Sequence, residues 1–154
     1  MPPVEALVEH ADSEVAGSRL HCQDFRQRNA ADFVLREALD LVPDSLGASA
    51  WYMSSSRLHF VASLEHERSQ LAAIGRYLSS IIGHLSSPDE PVTLNRVGDL
   101  FESALLVPVP STSSAPCGYL LLASATHGAF TRPTNGMAHR LAQQLGQFWC
   151  GLTD

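Results

Sequence analysis

The sequence predicts one α/β domain in which short strands are flanked by longer amphipathic helices. Three observations lead there. Apolar residues recur at spacings of three and four near both ends of the chain and again in its middle, which is the helical period. Between these runs lie short stretches of aromatic, branched and aliphatic residues bounded by Ser, Pro and Gly, the pattern of strands and their turns. The resulting order is helix–strand–strand–helix–three strands–helix, with no internal repeat and no linker long enough to mark off a second domain. At 154 residues, 45% hydrophobic and 17% charged, the chain can bury a core of its own.

Residues 3 to 28 read as a helix. Val4, Val8, Ala11, Val15, Ser18, Cys22 and Phe25 fall at alternating intervals of four and three, a heptad seam on an otherwise polar helix. The seam is thin, because Ala and Ser bury little area, and it suits a helix that packs on a partner. Asn29 to Leu41 continues in helical period, with Phe33, Val34, Ala38, Leu41 and Val42 on its apolar face. Asn29 either caps a fresh helix or lies within one long one. Pro43 stops it, since proline disfavours helical geometry in the residue before it.

Ala48–Met53 and Leu58–Leu64 form a strand pair around a Ser-rich turn. Glu65 to Leu85 is helical, with Leu71, Ile74, Leu78, Ile81, Ile82 and Leu85 in period, weakened at Gly75 and Gly83. Pro91–Leu94 is a short strand whose proline suits an edge, and Arg96–Glu102 an irregular connection or one helical turn. Leu105–Val109 and the most apolar segment, Gly118–Ala125, are strands joined by a loop of Ser, Thr, Ala and Pro; the second is expected at the centre of the sheet. Thr131 caps the last helix, which tolerates Pro133 in its first turn. Ala138, Leu141, Leu145, Phe148 and Leu152 form its stripe, broadened by Ala142 and Trp149.

Composition excludes several chemistries. A net charge of −6, with ten scattered arginines and no lysine, gives no basic face for a phosphate backbone, so no nucleic acid is expected as a partner. The lack of lysine also removes Schiff-base chemistry and a phosphate-loop lysine. Cys22, Cys117 and Cys150 form no Cys-x-x-Cys pair. The seven histidines include no His-x-x-x-His helix pair; His59 and His66 are the closest useful two, and they need not share a face. No Gly-x-Ser-x-Gly elbow is present. The apolar runs are too short to span a bilayer and the N-terminus lacks a signal-peptide pattern, so a cytoplasmic protein without membrane insertion is expected.

The stretch SALLVPVPSTSSAPCGYLLLASATHGAF, Ser103 to Phe130, followed by TRPTNGMAHRLAQQLGQFW, resembles the second half of a GAF domain, the α/β module of bacterial sensors and cyclic-nucleotide phosphodiesterases. The family pattern there is a strand ending in Val-Pro, a Gly-initiated apolar strand, then a Phe-Thr step into a terminal helix. The resemblance covers about residues 30 to 152. It implies an antiparallel sheet of five to six strands, with the N- and C-terminal helices on one face. On the other face it implies a ligand pocket, covered by the Leu71–Leu85 helices and the connection after the third strand. Arg76, Asn95, Arg96 and Asp99 lie where the family places its ligand contacts. Residues 1–28 resemble the signalling and dimerisation helix that enters such a domain, leaving 29–154 as the GAF-like domain.

The resemblance therefore implies a non-enzymatic sensory module, a homodimer joined through Val8, Val15, Cys22, Leu145, Phe148, Trp149 and Leu152. It implies a small-molecule ligand and a downstream signalling protein as partners, and the sequence names neither the ligand nor a cofactor. Without lysine the chain cannot match the Asn-Lys-x-Phe-Asp element of the cyclic-nucleotide-binding branch, and no Cys-His pair matches the bilin-binding branch. One alternative is a thiol-dependent redox enzyme resembling free methionine-R-sulfoxide reductase. Pro88–Phe101 contains no cysteine, however, and only Cys117 lies near a sheet edge. The other alternative is a pure dimerisation module with a degenerate pocket.

Overall fold

A computed structural model of the chain describes residues 11–54, 57–85, 90–112 and 115–153, with side chains from Phe25 to Trp149 within these ranges. The elements are α1 (Ala11–Leu39), β1 (Ser45–Ser54), β2 (Arg57–Leu64), α2 (Arg68–Ile81) running into a 3₁₀ turn (Ile82–His84), β3 (Val92–Val97), β4 (Phe101–Val109), β5 (Gly118–Ser124) and α3 (Arg132–Thr153). The five strands make one antiparallel sheet in the order β2-β1-β5-β4-β3. The backbone passes through Asn29 without a break, so α1 is one long helix.

β5 is buried along its whole length, as expected of the most apolar strand. Successive side chains of a strand point to opposite faces. Leu120 and Leu122 accordingly join one core cluster, and Tyr119, Leu121 and Ala123 join another. The first cluster lies under α1 and α3 and includes Val34, Leu35, Ala38, Leu145 and Trp149. The second lies under α2 and includes Trp51, Leu71, Ile74 and Leu78. Complete burial of a Leu or Ile side chain contributes about 1.5–3 kcal/mol, so both faces hold the sheet in place.

One expectation needs correction. Residues 96 to 102, expected as an irregular connection or helical turn, form a tight hairpin. β3 runs on to Val97, the chain turns through Gly98–Leu100, and β4 begins at Phe101. Gly98 makes the turn possible by adopting φ +47° at no steric cost. Arg96 Nε and Glu102 Oε2 meet across the hairpin at 3.3 Å; both are well exposed, so the pair fixes register more than it adds stability.

α1 ends and α3 begins at the same end of the central strands, because Ser45 and Ser124 are paired there. The two helices are therefore antiparallel neighbours. Trp149 lies between α1 and the sheet, its Nε1–H donating to Gln27 O at 3.2 Å and its ring meeting Tyr52 edge-on at 5.5 Å. Leu145 and Trp149, expected at a dimer interface, are instead 1% and 0% exposed inside the chain's own core. The broad stripe of α3 is explained by α1 and the sheet together. Phe148, on the flank of that stripe, stays 47% exposed. Val8 lies outside the described residues, as do the side chains of Val15, Cys22 and Leu152.

A polar clasp joins the loop after α1 to the loop after β5. Ser124 Oγ donates to Pro43 O at 2.6 Å and accepts from Thr126 N, while Thr126 Oγ1 donates to Asp44 Oδ2 at 2.5 Å. Ser103, 2% exposed, donates to Thr126 O and accepts from Ala129 N, anchoring the lead-in to α3.

Candidate functional site

The face beneath α2 is where a ligand was expected. Its floor is β1, β5 and β4, and its centre is Trp51. The indole Nε1–H donates to buried Ser49 Oγ at 2.9 Å, and Phe60 packs edge-on at 5.5 Å. Helix α2 rests directly on that indole: a Cβ on Gly75 would stand 3.2 Å from two of its ring carbons. Glycine at 75, which weakens a free helix, is what lets α2 come this close. Leu71, Ile74 and Leu78 fill the remaining ground, and Tyr77 meets Phe101 edge-on at 6.3 Å near the far end. The connection after β3, expected to help roof a pocket, is the three-residue turn 98–100 and is too short to reach over the sheet.

The structure does not bring the four expected ligand residues together. Arg76 is exposed on α2. Asn95 and Arg96 are consecutive in an edge strand and so point to opposite faces. Leu94 enters the α2 cluster, which puts Arg96 on that face and Asn95 on the other. Arg96 is engaged with Glu102, and Asp99 is exposed in the turn beyond. Spacing along the sequence carried no information about the short hairpin that separates these side chains.

Titratable groups near this face are tuned by burial. Tyr119 has its hydroxyl pKa pushed up by desolvation, so it stays a neutral phenol and offers no phenolate base. His66, in the loop before α2, has its pKa lowered to about 4, chiefly because its ring is removed from water; the nearby Gln70 side chain offsets this in part. Neither of its ring nitrogens has a hydrogen-bond partner. The imidazole sits against Gly47, where a Cβ would come within 2.7 Å of it, and Gly47 holds φ +135°. Gln70 meanwhile caps the helix start, its Oε1 accepting from Glu67 N at 3.2 Å. His59 lies near the opposite end of β2, so the two histidines do not converge.

Cys117 precedes β5, half-buried, with its thiol donating to Pro110 O at 3.6 Å. Its backbone is pinned on both sides, N–H to Val109 O and O from Met53 N. Among the described residues no three His, Cys, Asp or Glu side chains gather where they could hold a metal ion.

The sheet's other side carries a feature that the sequence reading only half found. The large apolar side chains exposed among the described residues are Phe25 (60%), Phe33 (62%), Met137 (48%) and Phe148 (47%). All four are on α1 and α3. From Phe25 onward the buried residues of α1 are Gln27, Ala31, Val34, Leu35 and Ala38. Phe25, Asn29, Phe33 and Arg36 occupy the opposite side by helical spacing and are exposed. Phe25, the last residue of the heptad seam, is thus on the outside of the layer, and the helical period past Phe25 was the signal available in the sequence.

No family model and no curated protein matches the sequence. Solved structures do match in shape. The type II free methionine-R-sulfoxide reductase from Thermoplasma acidophilum superposes with a TM-score of 0.65 at 13% identity, over 82% of this chain and 94% of that one. The GAF domain/HD domain protein from Geobacter sulfurreducens gives 0.62 at 11% identity, over 97% of each chain. The GAF-B domain of DevS from Mycobacterium smegmatis gives 0.56 at 18% identity, over 82% and 95%. The chain has the GAF fold.

Proposed function

We propose that this chain is a non-enzymatic regulatory domain of GAF fold whose working surface is the outer side of the α1–α3 layer. The observation that carries this reading is the distribution of exposed apolar side chains. Phe25, Phe33, Met137 and Phe148 lie on that layer, while the α2 face is closed on Trp51. Large apolar groups clustered on one face of a domain are how interaction surfaces differ from ordinary ones. A signalling protein or a further copy of the chain is the natural occupant. Arg76, Arg96 and Asp99 then act at most at the rim of the α2 face, whose centre holds Gly75 packed on the Trp51 indole. Among the described residues no helix is long and apolar enough to cross a membrane.

Thiol redox enzymology is the second reading, favoured by the shape match to a methionine sulfoxide reductase and by the half-buried Cys117. The thiol of Cys117 donates to a backbone carbonyl, an acceptor that does not itself draw out the thiolate that such chemistry needs. The experiment is an assay of the purified chain on free methionine-R-sulfoxide with a dithiol reductant, beside Cys117→Ser. No turnover by either protein is expected; turnover that Cys117→Ser abolishes would replace the regulatory reading with the enzymatic one.

A further inference from the structure

We infer that His66 is an acid-operated latch on α2: when its imidazole takes up a proton it leaves the hollow at Gly47 and frees the first turns of α2 from Trp51, while the sheet stays formed. The part that moves is the face closed by α2, on the side of the sheet away from the α1–α3 layer.

The ring is seated where a side chain is missing. Gly47 stands at a bulge where β1 shifts register against β5, and it holds φ +135°, a conformation that favours glycine. A Cβ there would lie 2.7 Å from the His66 ring and 2.8 Å from both His66 N and Leu64 O. Glycine therefore leaves the room that the imidazole fills. Both ring nitrogens are shut off from water without a hydrogen-bond partner. A neutral imidazole has one N–H and one acceptor nitrogen, whereas the imidazolium has two donors and a charge. The hollow leaves the neutral ring short of two hydrogen bonds, and it would strip the charged ring of its hydration as well.

The surroundings give the charge no counterweight inside the hollow. Glu65 and Glu67 flank His66 on its own loop and Arg68 begins α2; all three are exposed. The ring nitrogens make no hydrogen bond to either carboxylate. α2 presents Gln70, whose Oε1 takes the Glu67 amide, and its first turn has no acidic residue. β1 presents Gly47, and just before β1 the Asp44 carboxylate takes the Thr126 hydroxyl. Outside the hollow an imidazolium regains water, with two exposed carboxylates beside it.

Backbone geometry couples the ring to the helix. Only Glu65, His66 and Glu67 separate the end of β2 from the start of α2. Glu65 holds φ +70°, a strained position for a residue with a side chain, so the loop relaxes when it moves. Glu67 is the N-cap of α2 and is locked to Gln70 by a capping box. Displacing His66 displaces that cap, one residue on. α2 then loses its hold at the end nearest Leu71, Ile74 and Gly75, the residues set on Trp51 and its cluster. The sheet keeps α1 and α3 on its other face, so it can outlast the opening of α2.

The test is hydrogen exchange on the full chain, with wild type and His66→Gln compared at the same pH so that intrinsic rates cancel. The ratio of wild-type to variant exchange at amides 71–75 should rise roughly fiftyfold from pH 7 to pH 4.5. That is the factor by which protons favour an open state of pKa 6.5 over a closed one of about 4. The same ratio at amides 120–122 of β5 should stay constant. A parallel rise in α2 and β5 would overturn the latch, because His66 would then weaken the whole domain at once. A constant ratio at both would overturn it by showing that the ring is not held neutral. The C2–H resonance of His66 gives a readout that needs no variant: it should titrate below pH 5, and a midpoint near 6.5 would sink the inference.

Discussion

The indole N–H of Trp149 donates to the backbone carbonyl of Gln27, 122 residues earlier in the chain, at 3.2 Å. A carbonyl oxygen has two lone pairs, so Gln27 can accept this bond beside its helical one. The contact joins the last helix to the first beside Tyr52, and α1 continues from there back to Ala11.

Trp149→Ala should therefore cost about 3–5 kcal/mol, the range for emptying a large aromatic site in a core. Trp149→Phe should cost less, because it keeps most of the ring volume and loses the N–H bond. Urea unfolding followed by circular dichroism measures both. A cost under 1 kcal/mol for the alanine variant would mean that the indole is not seated as described.

Two glycines of α3 should respond to alanine with opposite signs. A Cβ at Gly146 would collide with Pro110 O and lie 3.3 Å from the Pro110 ring, so Gly146→Ala must lift the helix from the end of β4. Overpacking of this kind costs typically 1–3 kcal/mol. A Cβ at Gly136 meets nothing within 4 Å, and there the substitution should stabilise by about 0.5–1 kcal/mol through helix propensity. Melting temperatures moving in the same direction for both would contradict the close approach at Pro110.

His66 predicts a pH dependence. Its pKa falls from 6.5 in the unfolded chain to about 4 in the folded one, so the folded state binds fewer protons between these values. The stability it contributes is whole above about pH 6.5, is lost as pH falls toward 4, and changes no further below that. The full loss is on the order of 3 kcal/mol, at 1.36 kcal/mol per unit. Carboxylates also titrate in this window, so the measurement is the difference between wild type and His66→Gln. The wild type should lose more stability than the variant from pH 7 to pH 4.5, and parallel curves would rule out a desolvated imidazole against Gly47.

The legible parts of the fold were those written locally. β5 announced itself because a strand covered on both faces must be apolar throughout, and Thr131 with Pro133 marked the start of α3 by capping chemistry. The β3–β4 hairpin was not legible. Arg96, Asp99 and Glu102 are polar enough to read as loop, and only the pairing with β4 makes Arg96 part of a strand. That same turn dispersed the expected ligand residues and is too short to cover the α2 face. Trp149 shows the converse difficulty: a wide apolar stripe looks the same whether a second copy or the chain's own first helix fills it. Phe25 and Phe33 resolve this only in three dimensions, by standing opposite the core.

The sheet order has a consequence for how the chain is made. The centre of the sheet pairs β1 with β5, so a strand synthesised early waits for one synthesised near the end. Until Gly118–Ser124 leaves the ribosome, one edge of β1 has no partner, and the stripe of α1 around Val34 and Leu35 has no α3 beside it. An unpaired apolar strand edge is a template for joining the wrong chain. Non-local closure of this kind also slows folding. Chains halted before β5 should therefore be the aggregating species in a cell, and their yield should depend on chaperones that hold nascent strands apart.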